Sequence, residues 1–469
     1  MLHRVLCRLV QPAVVPIQDP AVHPTVKPAM KNEQHQPAAD YREKARLGLR
    51  QGDQALAEQS YERLLETDPA DLEALQQLAG INLARAEAAR AIELLTRAHH
   101  AHPEDPFTLV QLGMARMTDG DARGAVDNLR RGLELKPDMF LARLRLGVLL
   151  DQLGETHEAL IATFNALNTA QAKGRWLNDE TTAPELRDVV KRGTQFVLAG
   201  RRSFFNDILE PLRQRYGASE LVRVEQCLAI YLGEQKAMLP DSRQQPKFLY
   251  FPGVPSQPYY PRERFPWQAE LEANTAAIRD ELLKVLSQPQ DLESFLQTDS
   301  PQDAADLLRS SRAEQPAWDA YFFHRHGERY DEHAARCPQT AALLDKLPLA
   351  HVREHSPETL FSVLRPGTHI LPHRGVTNTR LVTHLPLIVP SDCALRVGGE
   401  IHEWKEGRCV TFDDTFVHEA WNNSDETRVV LILDSWNPDL SEAERAAVAD
   451  LVAAIGDFNR ASEVPVPKG

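Results

Sequence analysis

From about residue 38 the apolar positions recur at helical spacing, and the pattern itself returns every 34 residues. Ala57, Ala91, Ala125 and Ala159 are in phase, as are Pro69, Pro103 and Pro137. Gly52, Gly120 and Gly154 share the phase, with Ala86 in the second unit, and Leu112–Gly113 returns as Leu146–Gly147. A unit of this length predicts two helices joined at the glycine turn. The small residues permit close helix approach, and proline opens the link to the next unit because it cannot continue a helix. Residues 170 to 240 keep a helical pattern without the register and are expected to cap the stack. From Thr359 the period shortens to that of strands. SVLRPGTHI, RLVTHLPLIV, ALRVGG, EIHEW, CVTFDD, VHEAWN and TRVVLILDSW are short β-rich runs, some separated by Pro366–Gly367, Gly398–Gly399 and Asn423–Ser424. About seven strands in roughly eighty residues predict a barrel or jelly roll.

The 34-residue unit resembles the tetratricopeptide repeat. Between the two patterned regions lies the proline-dense LPDSRQQPKFLYFPGVPSQPYYPRERFPW, Leu239 to Trp267, where the domain boundary is expected. The expected organisation is a disordered segment over 1–37, a helical repeat domain over 38–240 and a β-rich domain over 241–469. Within the last, Leu271 to Val285 reads as a helix, and residues 303 to 345 as further helix carrying a core cluster of Trp318, Tyr321 and Phe322.

Composition narrows the function classes. The 469 residues exceed one ordinary core. A formal charge of −14 argues against nucleic acid as a partner. Five cysteines without a CxxC pair argue against a disulfide framework and for a reducing, cytoplasmic location. No run of eighteen apolar residues is present to span a membrane, and Pro12 and Pro16 interrupt the N-terminus too early for a signal peptide.

The candidate chemistry lies between Phe361 and Trp436. His373 ends an apolar run and His418 begins one, with forty-four residues between them. Asp413–Asp414 precede His418, either as a solvated turn or as groups near a metal. Arg428 falls inside the last apolar strand, where an unpaired charge costs several kcal/mol, so it needs an anion. Two histidines with a late-strand arginine suit a non-haem iron oxygenase that grips a 2-oxoglutarate carboxylate bidentately.

KFLYFPG, PGTHILPHRGVTNTRLVTHLPL, FDDTFVHEAWN and the WNP after the last strand, in that order, resemble the aspartyl/asparaginyl β-hydroxylases over roughly Lys247 to Arg445. The resemblance implies a double-stranded β-helix and an Fe(II)- and 2-oxoglutarate-dependent dioxygenase that uses O2 to hydroxylate an unactivated C–H. His373 and His418 match the iron ligands, Arg428 and Ser362 the pair on the distal carboxylate, and His384 a residue near the other. Members carry an arginine where this chain has Val382, for which Arg380 is the expected substitute, and a small hydroxyl residue where it has Arg374. Gly375 stands where most facial triads place a carboxylate, an absence the family shares. The implied substrate is an Asp or Asn side chain of a peptide or protein recruited by the repeats. A halogenase or lipid acyl-chain hydroxylase on the same site is a second reading, and a non-catalytic repeat-based binding protein a third.

Overall fold

The computed structural model describes residues 38–296, 307–311 and 316–462. The expectation of disorder before residue 38 lies outside the described residues, as does part of the helix expected from 303. The chain forms two compact units divided between Gly200 and Arg201.

The first unit contains helices α1 (Ala38–Gln51), α2 (Gln54–Thr67), α3 (Leu72–Ala84), α4 (Ala88–Ala101), α5 (Pro106–Asp119), α6 (Ala122–Leu135), α7 (Phe140–Gln152) and α8 (Thr156–Ala172). Each packs on the next. The 34-residue phase is visible as repeated physics. All four in-phase alanines are fully buried. A Cβ on Gly113 would lie 3.1 Å from the Ala125 carbonyl, and one on Gly147 would lie 3.2 Å from the Ala159 carbonyl, the same contact one period later. Gly52, Gly120 and Gly154 all have positive φ, and so does Ala86 at 62°. The turn therefore imposes its left-handed geometry even where no glycine is present. Asp71 and Asp105, one period apart, accept hydrogen bonds from the N–H three residues on and cap α3 and α5.

Helices α9 (Arg187–Tyr216) and α10 (Val222–Tyr231) follow. The division between the units falls inside α9, earlier than the boundary expected at 240/241. The second unit holds α11 (Gln268–Ala273), α12 (Thr275–Leu286), α13 (Asp331–Arg336), α14 (Pro338–Leu344) and α15 (Glu442–Ala461). The early division has a packing cause. Phe204 and Phe205 on α9 lie 5.7 and 6.1 Å from Phe458 on α15, and Arg223 on α10 pairs with Glu444 at 2.6 Å. These helices, expected to cap the repeats, serve the β-rich unit from Arg201 onward.

Its strands are β1 (Tyr259–Tyr260), β2 (Glu293–Ser294), β3 (Leu308–Ser310), β4 (Trp318–Arg325), β5 (Glu328–Arg329), β6 (Thr359–Leu364), β7 (Thr368–His373), β8 (Arg380–Ile388), β9 (Cys393–Val397), β10 (Glu400–Glu403), β11 (Val410–Phe412), β12 (His418–Asn422) and β13 (Arg428–Trp436). One antiparallel sheet runs β1-β11-β8-β13-β6-β4-β2, with β5 on β4, and a second runs β10-β9-β12-β7-β3. The inner faces of the two sheets share a core that includes Leu364, Val382, Phe412 and Val430 from the first and Ile370, Leu395, Val397 and Ala420 from the second. On the far face of the first sheet, Phe361, Val363, Leu385, Leu387, Val429, Leu431 and Leu433 pack under Leu271 of α11 and Ile278, Leu282 and Val285 of α12. Covered on both faces, β6, β8 and β13 read as nearly continuous apolar runs.

The helix expected through 318–325 is strand β4. Its run WDAYFFHR is dense in aromatic residues, which fit a pleated surface between β6 and β2 better than a helix. Tyr321 and Phe322 are core residues as expected, and Trp318 is partly buried. No described helix is long and apolar enough to cross a membrane.

Gly113→Val should destabilise the repeat unit by about 1–3 kcal/mol, because the added atoms meet Leu129 Cγ at 3.0 Å and the Ala125 carbonyl at 3.1 Å. Urea unfolding of the full chain checks this, and an unchanged transition for the repeats would rule out the close approach.

Candidate active site

Side chains alternate along a strand, so one parity on each strand faces the space between the sheets. On β13, Val429, Leu431 and Leu433 face the helices, which turns Arg428 and Val430 inward. On β6 the inward set holds Leu364, and with it Ser362. On β8 it holds Val382, and with it Arg380 and His384. On β12 it holds Ala420, and with it His418.

His373 needs a further device. Ala420 pairs with Ile370 and His418 with His373, so β7 uses one residue more than β12 over the same span. This bulge, at Leu371–Pro372, rotates His373 onto the face that Ile370 occupies. The two imidazole centroids are 4.0 Å apart. Nδ1 of His373 is 2.8 Å from the Leu371 carbonyl, and Nδ1 of His418 is 3.1 Å from the Phe416 carbonyl. A carbonyl only accepts, so each Nδ1 carries the proton and each Nε2 keeps its lone pair. Burial pushes His373 down to about 3 and His418 down to about 4, and the neighbouring imidazole further depresses His373. Both are neutral at physiological pH, the form that ligates a divalent metal. Among the described residues, no third His, Cys, Asp or Glu joins them in a group that could hold a metal ion.

A continuous path of contacts leads away from this pair. Phe412 lies 5.6 Å from His418 and 5.0 Å from His384, and His384 lies 5.9 Å from Trp404. The Arg428 guanidinium lies over the Trp404 ring at 4.9 Å, and its Nη1 donates to Ser362 Oγ at 3.4 Å. Trp318 Nε1 also donates to Ser362 Oγ, at 2.9 Å. With two donors already on its oxygen, the serine hydroxyl has its own proton free to give. Arg428 is 1% exposed and no carboxylate among the described residues pairs with it. Its Nε, Trp404 Nε1 and His384 Nδ1 are all buried without a hydrogen-bond partner among the described residues. Burial pulls the arginine down to about 10 and drives His384 well below its usual value, with the arginine's charge adding to the effect. The guanidinium and the polar atoms around it are thus left uncompensated by the described residues.

Arg380 is placed otherwise than the substitute role at Val382 would require. It is buried, with Nη1 at 2.9 Å from Asp434 and 3.4 Å from Asp414. Burial would lower its pKa, and the two carboxylates reverse this and raise it. Its charge is thus engaged by protein carboxylates. Asp413 and Asp414 are buried, so the solvated-turn reading does not hold. Asp413 accepts from Gln244 Nε2 at 2.6 Å and from the Thr415 N–H and hydroxyl, and burial pushes it up to about 7. The Asp414 carboxylate fills the hollow beside Gly375, where any Cβ would overlap it, and its Oδ1 has no partner. Gly375 thus lacks a side chain for a steric reason.

Residues 272–438 match the family model described as Aspartyl/Asparaginyl beta-hydroxylase. The aspartate beta-hydroxylase domain-containing protein 2 of Rattus norvegicus is 32% identical over 255 residues, covering 53% of this chain and 70% of that protein. The chain belongs to the aspartyl/asparaginyl β-hydroxylase family. An ornithine lipid ester-linked acyl 2-hydroxylase of Rhizobium tropici is 36% identical over 193 residues, 40% of this chain and 64% of the relative. The aspartyl/asparaginyl beta-hydroxylase of Mus musculus is 29% identical over 390 residues, 77% of this chain and 50% of the relative. The chain thus spans less than two thirds of each of these last two relatives. Among solved structures, a MamA protein is 20% identical with a TM-score of 0.28, over 38% of this chain and 94% of that one, a score too low to bear on the fold.

Sequence reasoning missed Trp404 as the ring under Arg428, Trp318 as a donor to Ser362 and Asp434 as the partner of Arg380. Trp404 ends the run EIHEW, and nothing in its spacing marks it; Asp434 lies in the last apolar strand, where an acid already signals a buried partner.

Gly375→Ala should destabilise the protein by about 1–3 kcal/mol through collision with Asp414. In an Asp414→Ala background the same change should cost far less, a coupling on the order of 1 kcal/mol or more. Thermal unfolding of the four proteins measures it, and additive effects would show that Asp414 does not fill that hollow.

Proposed function

We propose that the chain is an Fe(II)- and 2-oxoglutarate-dependent hydroxylase, and that its two facing sheets form a double-stranded β-helix. The carrying observation is Arg428, a buried guanidinium without a carboxylate partner among the described residues, set in the same inter-sheet space as two neutral histidines. His373 and His418 would hold the metal through Nε2. Arg428 and the Ser362 hydroxyl would hold the distal carboxylate of 2-oxoglutarate, and neutral His384 would lie beside the cosubstrate. Iron and 2-oxoglutarate, when bound, supply the activation of O2 that hydroxylates an unactivated C–H, with CO2 and succinate as coproducts.

The chain's own residues supply the rest. The carbonyls of Leu371 and Phe416 fix the tautomer of both ligands. Trp318 orients the Ser362 hydroxyl. Trp404 and Phe412 wall the path between histidines and arginine and keep it poor in water, which strengthens the guanidinium–carboxylate contact. Arg380, itself held by Asp434, would anchor Asp414 beside the metal position.

The substrate we favour is an Asp or Asn side chain of a peptide or protein recruited by the helical repeats, because repeat stacks offer extended surfaces to peptides. A lipid acyl chain is the second reading, favoured by the 36% identity to a relative named as an ornithine lipid acyl 2-hydroxylase. Product mass after incubation with an Asp peptide or with an ornithine lipid separates the two.

His373→Ala and His418→Ala should each abolish metal binding, since no described side chain replaces either ligand. Arg428→Leu should retain the metal and weaken 2-oxoglutarate by a hundredfold or more, from the roughly 3–5 kcal/mol lost when a buried ion loses its partner. Metal content and 2-oxoglutarate-dependent succinate formation check both. An arginine variant with unaltered 2-oxoglutarate dependence would refute the assignment.

A further inference from the structure

The chain crosses from the second sheet to the first between β10 and β11, and Trp404 sits on the crossing. The turn that follows is pinned to the end of β8. The Gly407 N–H donates to the Pro386 carbonyl at 2.9 Å, and Glu406 accepts from the Val389 N–H at 2.9 Å and pairs with Arg279 of α12. The indole ahead of this turn is carried into the inter-sheet core, where it is 7% exposed.

An indole N–H can only donate, and a buried donor without an acceptor costs stability. Trp404 Nε1 has no acceptor among the described residues. The neighbouring His384 supplies none: its ring centroid is 5.9 Å away, and its own Nδ1 is likewise without a partner. The indole ring lies under the Arg428 guanidinium at 4.9 Å, and Arg428 Nε is a second buried donor without an acceptor among these residues. Arg428 Nη1 donates to Ser362 Oγ, which also accepts from Trp318 and so keeps its own proton to give. Arg428 Nε, the Ser362 hydroxyl and Trp404 Nε1 are thus three donors gathered at one guanidinium. A water molecule, with two lone pairs, satisfies two of them at most. A carboxylate presents two oxygens and about four lone-pair sites, enough for all three.

We propose that the Trp404 indole N–H is a third donor to the carboxylate held by Arg428 and Ser362. The proposal rests on the hydroxylase reading above, in which that carboxylate is the distal one of 2-oxoglutarate. It gives the tryptophan a binding role in addition to its place in the wall of the site.

Nitrogen–proton correlation NMR of the indole groups, in the full chain loaded with diamagnetic Zn(II), tests it. The chain has six tryptophans, so the signal missing in both Trp404→Phe and Trp404→Tyr identifies Trp404. Added 2-oxoglutarate should move that indole proton downfield, as entry into a charge-assisted hydrogen bond requires. Trp404→Phe keeps a ring under the guanidinium and removes the donor. Calorimetry should show its 2-oxoglutarate affinity reduced about tenfold, with Zn(II) affinity unchanged. Wild-type protein that binds 2-oxoglutarate while the Trp404 proton stays in place overturns the proposal and leaves the hydroxylase reading intact. A Trp404→Phe variant that binds 2-oxoglutarate as tightly as wild type does the same. Glutarate, a dicarboxylate of equal length without the keto group, separates the two claims further. If wild-type protein binds no 2-oxoglutarate and glutarate still moves the Trp404 proton, the hydroxylase reading fails and the indole stands as a carboxylate donor. If neither dicarboxylate binds, both fail.

Discussion

Arg428 is the constraint around which the second unit is arranged. A guanidinium with 1% exposure and no carboxylate partner among the described residues carries a desolvation cost of several kcal/mol that those residues do not repay in full. Its hydrogen bond to Ser362 is long, and its stacking on Trp404 offsets only part of the loss. Under the function proposed, its partner is the carboxylate of 2-oxoglutarate, arriving from outside the chain. The surrounding groups fit that account. Ser362 keeps a proton to donate, Trp404 Nε1 and His384 Nδ1 are buried without partners among the described residues, and His384 stays neutral.

The two-sheet architecture makes this arrangement possible. Helices cover one face of β6, β8 and β13, so the other face is free to carry Ser362, His384 and Arg428 into the inter-sheet space. The second sheet answers with two histidines. The bulge in β7 brings His373 opposite His418, where regular pairing would have turned it to the outer face. The pairing of Arg380 with Asp434 and Asp414 braces the loop before His418, and the Asp414 carboxylate occupies the hollow that the absent side chain of Gly375 leaves. The site is thus held by long-range contacts between strands far apart in sequence.

That dependence on long-range contact explains what could be read in the sequence and what could not. The 34-residue phase was legible because each unit repeats one local packing problem, down to the left-handed turn at Gly52, Ala86, Gly120 and Gly154. The eight strands from Thr359 onward were legible because their apolar runs and Pro-Gly or Gly-Gly turns are local. His373, His418 and Arg428 stood out as polar residues bordering or inside apolar runs. Strand β4 was misread because an aromatic run of eight residues fits helix or strand equally until its neighbours β6 and β2 are known. The role of Arg380 was illegible because its partner Asp434 lies fifty-four residues on. The packing of α9 and α10 with α15, which moves the division between units to Gly200/Arg201, depends on a helix more than two hundred residues away.

The central claim is that a neutral histidine pair and an unpartnered buried arginine together form one receptor for a metal and a dicarboxylate. Calorimetric titration of the wild-type chain with 2-oxoglutarate, with and without Mn(II), tests this most directly. The account predicts one 2-oxoglutarate bound per chain, with affinity that falls sharply when the metal is withheld. Metal-loaded protein that binds no 2-oxoglutarate, or binds it equally well without metal, would contradict it.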